Sequence, residues 1–224
     1  MTHHALRIGV ALAAALLVGA AGASAQVLIN EVDCDTPGLD NKEFIELIGP
    51  AGHSLDGYVL VLYNGYLNSA YQTWDLDGYS IGGNGYFLVG NQGVSPAADI
   101  VFADNLLQNG ADAVALYLGD GTDFPWGEPV KTENLVDAFV YDTNDPDDPG
   151  IMILLEAGQV QVNEDELGDA VNHSSQRCPD GEGGARVTTH FYQGIPTPGA
   201  SNSSVCGFTS TETTSWGEIK ALFR

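Results

Sequence analysis

The chain has 224 residues, with 7 Lys and Arg against 30 Asp and Glu, a formal net charge of -23. So few basic residues supply no clustered positive footprint for a phosphate backbone, which excludes nucleic-acid binding, and anionic membrane surfaces are disfavoured for the same reason. Bulk acidity suits solubility, a saline environment or divalent cations, and a solvated acidic face is its plainest account.

The chain opens like an export signal: Arg7, the apolar run IGVALAAALLVGA, then Ala23-Ser24-Ala25 before Gln26. Residues 1 to 25 are therefore expected to be removed, leaving a secreted, cell-surface or periplasmic protein with no membrane insertion. No later stretch approaches the roughly 18 to 20 apolar residues of a membrane span. The nearest cysteine to the cleavage position is Cys34, which argues against a lipoprotein anchor.

What remains can bury roughly 70% of the surface its unfolded form exposes, so disulfides are not obligatory. Export permits them, and three cysteines leave one thiol unpaired or paired between molecules. Cys178 with Cys206 is the expected pair, closing a loop worth roughly 3 kcal/mol. Cys34 with either partner is the alternative.

Strand signals then dominate in chain order: VLINEV at 27–32, EFIELI at 43–48, YVLVLYN at 58–64, GYFLVGN at 85–91, DIVF at 99–102, DAVALYLG at 112–119 and LVDAFVYD at 135–142. Alternation places Val114, Leu116 and Leu118 on one face, and Val136, Ala138 and Val140 on one face, each expected to line the core. No helical periodicity separates these runs, so the expected fold is an all-β sandwich of two half-buried antiparallel sheets. The segments 119–134 and 143–150 read as loops, and IMILLEAGQVQV as either a strand or a short helix. Beyond Cys206, a Ser/Thr-rich spacer leads to SWGEIKALFR, whose Trp216, Ile219 and Phe223 lie at the spacing of a short amphipathic helix.

In order and spacing, INEVDCDTPGLDNKEFIEL, LDGYVLVLYNG, GGNGYFLVGN, LLQNGADAVALYLGDGT, LVDAFVYD and IPTPGASN resemble the lamin-tail domain of exported bacterial proteins, over most of residues 27 to 202. The resemblance implies an immunoglobulin-like β-sandwich at 26–202, followed by a tail at 203–224. It also implies a structural and interaction module, not an enzyme, with an extracellular or surface protein or glycan as partner. The DNA contact proposed for lamins needs basic residues, and this chain has no patch of them.

His53-Ser54 and His173-Ser174 are adjacent in sequence, so on a strand they point to opposite faces and form no dyad. Neither H-E-x-x-H nor paired C-x-x-C is present for zinc. No cofactor is required, but calcium is the ligand that the composition suits, through Asp33, Asp35, Asp40 and Glu43 around the Pro37-Gly38 turn, or through Asp142, Asn144, Asp145, Asp147 and Asp148. Against this stands the reading of both stretches as solvated acidic turns. A secreted calcium-dependent hydrolase is one rival function. A glycan-binding module is another, its rings drawn from Tyr63, Tyr66, Tyr71 and Trp74, with the contact falling to Tyr66, Tyr71 and Trp74.

Overall fold

A computed structural model describes residues 26–204 and residue 206. The export signal and the C-terminal amphipathic segment lie outside the described residues. Eleven strands are formed: β1 Leu28–Asp33, β2 Phe44–Ile48, β3 Tyr58–Asn64, β4 Ser69–Asp75, β5 Tyr86–Asn91, β6 Ile100–Phe102, β7 Asp112–Leu118, β8 Leu135–Asp142, β9 Val162–Asn163, β10 Ser174–Arg177 and β11 Phe191–Gly194. One sheet has the order β11-β10-β1-β2-β5-β6 and the other β4-β3-β7-β8-β9. Packed face to face they make an all-β sandwich.

All seven expected strands are present, and the others are too polar or too short to stand out by pattern. The sheets are mixed, however, where purely antiparallel ones were expected. β6 lies parallel to β5 and β9 parallel to β8. In IMILLEAGQVQV a single 3-10 turn at Met152–Leu154 and the first residue of β9, Val162, share the segment.

Between the sheets lie Ile29, Val32, Ile45, Leu47, Leu60, Leu62, Val114, Leu116, Phe139 and Tyr141, among others. The second sheet is not half-buried. Its far side carries Val59, Val61, Tyr63, Ala115, Tyr117, Ala138 and Val140, and these pack under Phe124 and under Ile151, Leu154 and Leu155. The segment 119–134, which reads as a loop, and the start of IMILLEAGQVQV thus cover a second apolar face. This corrects the expected face of two strands: Ala138 and Val140 turn outward to that second cluster, and Leu118, beyond a register shift at Leu116 and Tyr117, is exposed.

One ion pair joins the layers. Arg177 on β10 and Asp137 on β8 meet at 3.0 Å with both side chains fully buried. Arg177 also donates to the Ile29 carbonyl at 2.9 Å and to the carbonyls of Glu182 and Gly184, and its guanidinium lies 4.7 Å from the centre of the Phe191 ring. Asp137 accepts from the Ile29 amide at 2.8 Å, and from the amides of Ala138 and Arg186. Burial works to raise the Asp137 carboxyl, and Arg177 and these three amides pull it down. Cys178 and Cys206 form the expected disulfide, leaving Cys34 free and buried.

Removing one partner of a buried pair strands the other charge, at a cost of about 3–5 kcal/mol. Arg177→Met should therefore lower the unfolding free energy by about 3–5 kcal/mol in urea titrations. A loss under about 1 kcal/mol would mean that Asp137 is held by its backbone donors alone.

Candidate functional site

The opening carboxylates are placed by an irregularity in β1. The β1–β2 register pairs Ile29 with Leu47 but Glu31 with Glu46, so Asn30 is an extra residue. Such a bulge reverses which face the following side chains take. Val32 and Cys34 therefore enter the core, and Glu31 and Asp33 emerge on the outer face of the six-stranded sheet.

Glu31 and Glu46 sit opposite each other there, an arrangement that costs stability unless something compensates it. The segment 195–204 supplies the compensation. Thr197 donates to both Glu31 oxygens, from its amide at 2.8 Å and its hydroxyl at 2.9 Å, and Ser174 adds a third bond at 2.5 Å. Glu46 accepts from the Gly199 amide at 2.7 Å and from Asn30 at 2.9 Å. Asn202 fastens the segment by donating to the carbonyls of Asn30 and Arg177. Gly199 has φ of +72°, and a Cβ there would lie 2.7 Å from Pro96, so backbone and space both demand glycine.

These carboxylates are therefore not a solvated face. Burial raises Glu31 to about 7 against the donors Ser174 and Thr197, and raises Glu46 to about 8. Glu164 is likewise raised by burial to about 8, and accepts from the Cys34 amide at 3.2 Å and the Cys34 thiol at 2.7 Å. The Cys34 thiol is itself pushed well up by burial and then by Glu164.

Asp33 is the exception in this group. It is 4% exposed, and Oδ1 has no hydrogen-bond partner among the described residues. The Thr36 hydroxyl, on a residue 3% exposed, is equally unpartnered, and so is Glu43 Oε1. Asp33 and Thr36 line a cleft of about 350 Å³ beside Phe44, Val94, Pro196 and Pro198. Burial holds the Asp33 carboxyl well above its usual range, reinforced by Glu164, Glu31, Glu43 and Asp35.

The other opening acids diverge. Asp35 is raised by burial and then by Asp40 and Asp165, and lines a separate hollow with Asp165 and Asp169. The Asp40 carboxylate accepts from the Thr36 amide at 2.8 Å, closing its own turn. Glu43 accepts from the Leu106 amide at 2.9 Å and is raised by burial to about 7.

The 142–148 stretch is tied down locally. Asp142 accepts from the Asp145 amide and from Gln161, and Asn144 bonds to Asp165 and Asn163. Asp147 faces a hollow away from the others. Among the described residues, no three His, Cys, Asp or Glu side chains are grouped so as to hold a metal ion.

The aromatic candidates also separate. Tyr71 is buried and accepts from the Gln108 amide, Trp74 packs on Phe102 with ring centres 5.6 Å apart, and Tyr66 stands 90% exposed. Tyr66 borders a second cleft, of about 420 Å³, with Asn64, Gln108, Asp112, Asp145 and Asp148. Sequence reasoning missed Glu164, Thr36 and Thr197, and it missed that Glu31 and Glu46 are buried. Their signal was available: Glu31 and Glu46 each interrupt a strand of large apolar residues, a pattern that buries whatever it contains.

Fold and site together define, among the described residues, an all-β sandwich with an acidic outer face and open clefts. A scan against protein-family models, a search of curated proteins and a search of solved structures each found no match.

The raised acids make stability depend on pH in a defined direction. Their folded values lie above the ordinary carboxylate range, so the folded state keeps protons that the unfolded chain releases between about pH 4.5 and 8. Stability therefore falls as pH rises through that window. The thermal midpoint should be about 5–10 °C lower at pH 8.5 than at pH 5.5, and Glu164→Gln should flatten the slope. A midpoint that rises with pH would show that these groups are ionised at little cost.

Proposed function

We propose that this protein is an exported, non-catalytic interaction module of lamin-tail type that holds an extracellular or surface partner at the Asp33 cleft. The observation that carries this reading is an open cleft of about 350 Å³ whose lining joins polar Asp33 and Thr36 to apolar Phe44, Val94, Pro196 and Pro198. Further support comes from the segments that carry the lamin-tail resemblance. They supply strands of both sheets, and PTPGASN closes over the carboxylates of INEV and FIEL.

Glycan binding is the second reading, and its support is the Tyr66 cleft, where an exposed ring borders amides and carboxylates. Sugar recognition uses that combination of stacking face and hydrogen-bonding rim.

The two readings separate on residues 26–224 screened against displayed peptides and arrayed polysaccharides. Val171 is exposed and lines the Asp33 cleft, so Val171→Trp fills the cleft without entering the core. Peptide hits weakened at least about tenfold by Val171→Trp, or about 1.4 kcal/mol, and untouched by Tyr66→Ala would support the first reading. Polysaccharide hits with the reverse sensitivity would replace it by the second. Hits indifferent to both substitutions would sink both.

A further inference from the structure

Where the segment 195–204 meets β1, the hydrogen bonds close in one protonation state alone. The Thr197 hydroxyl lies 2.9 Å from Glu31 Oε2 and 2.7 Å from Asn202 Oδ1. Asn202 has no freedom to turn that oxygen away, because its Nδ2 donates to the carbonyls of Asn30 and Arg177. A hydroxyl has one proton to give, so it cannot bond two bare acceptors. With a proton on Glu31 the relay closes: Glu31 Oε2 donates to Thr197, and Thr197 donates to Asn202. With Glu31 ionised, the hydroxyl turns to the carboxylate, and Asn202 Oδ1 loses its donor on a fully buried residue.

The groups around Glu31 favour the proton. Glu46 of β2 stands opposite it, Asp33 shares its strand, and Asp180, between β10 and β11, acts on it by charge. On β10, Ser174 donates to it and Gln176 is its register partner, while Arg177 is paired with Asp137. His173, next to Ser174, lines a hollow with Thr197. The same segment closes over Glu46 through the Gly199 amide and walls the Asp33 cleft with Pro196 and Pro198. We propose that residues 195–204 are a proton-dependent latch, closed over Glu31 and Glu46 while Glu31 holds its proton and released when that proton passes to solvent, which withdraws the Pro196 and Pro198 wall of the cleft. The latch stands whatever the cleft binds.

The sign follows from linkage. Opening returns Glu31 and Glu46 to water, where a glutamate titrates near 4.5, whereas burial in the closed form raises them to about 7 and about 8. The closed form keeps protons that the open form releases. Opening is therefore favoured as pH rises from about 4.5 to 7, by up to about tenfold per pH unit for each proton kept.

The experiment is native-state amide hydrogen exchange by nuclear magnetic resonance on residues 26–224 in EDTA, at pH 5.5 and 7.5, with exchange corrected for its intrinsic pH dependence. Protection of the Thr197, Gly199 and Asn202 amides should fall at least about tenfold between the two, and at pH 7.5 it should lie below that of Val61 and Leu116 in the core. Glu31→Gln places an amide donor on the Thr197 hydroxyl permanently, so it should hold the three amides protected at pH 7.5 and remove most of the slope. His173→Gln should leave the slope unchanged. The carbon-13 shift of the Glu31 carboxyl in the unsubstituted protein should titrate near 7, a readout that does not depend on any variant folding.

Latch amides whose protection equals that of the core at both pH values would mean that the segment opens only with global unfolding, which overturns the latch. A Glu31 carboxyl that titrates below about 5 would overturn it equally. A slope kept in Glu31→Gln and lost in His173→Gln would remove Glu31 as the switch.

Discussion

The buried pair of Arg177 and Asp137 governs what the rest of the molecule can do. An inserted residue in a strand leaves backbone groups outside the ladder, and buried groups of that kind must find partners elsewhere. At the β1 bulge, Asp137 takes the Ile29 amide and Arg177 takes the Ile29 carbonyl. The pair therefore does more than offset its own desolvation: it makes the bulge tolerable in a dry interior. The bulge then sends Glu31 and Asp33 outward where regular alternation would send them into the core.

That reversal creates a second requirement. An acidic row on a buried outer face needs donors, and the segment 195–204 brings them as backbone amides, a hydroxyl and the Asn202 side chain. Asn30, the inserted residue, joins both events: it donates to Glu46, and its carbonyl accepts from Asn202. Bulge, acids and closing segment thus form one cooperative unit. Only Asp33 stands outside its reach, next to a cleft.

Much of the fold was legible from pattern, because β1, β2, β3, β5, β7 and β8 are dense in Val, Ile, Leu, Tyr and Phe, residues that alternate or run together in strands. β10 was not legible, since SSQR has no apolar residue, and its strand character comes from the ladders to β1 and β11. Nor was the second apolar cluster, because half-burial of each sheet was inferred from alternation. Phe124 and Ile151 show their role only once the segments that carry them are folded back. Of the site, the acids Asp33 and Glu43 were visible as acids. Their solvation was misread, because a one-residue bulge leaves no trace in composition. Thr36 was invisible, since a lone threonine in a turn carries no signal of its own.

The described chain enters at Gln26, just before β1, and leaves at Cys206, bonded to Cys178 just after β10. β1 and β10 are antiparallel neighbours, with Glu31 facing Gln176 and Val32 facing Ser175, so entry and exit lie at the same end of one strand pair. Tension between the two ends would act across the ladder and load its bonds one at a time, a geometry in which backbone pairing resists weakly. The first connections met at that end are the Arg177 bond to Ile29, the Asn202 bonds and the disulfide itself. The covalent link and the buried charge pair therefore act as a clasp where the sandwich would otherwise unzip.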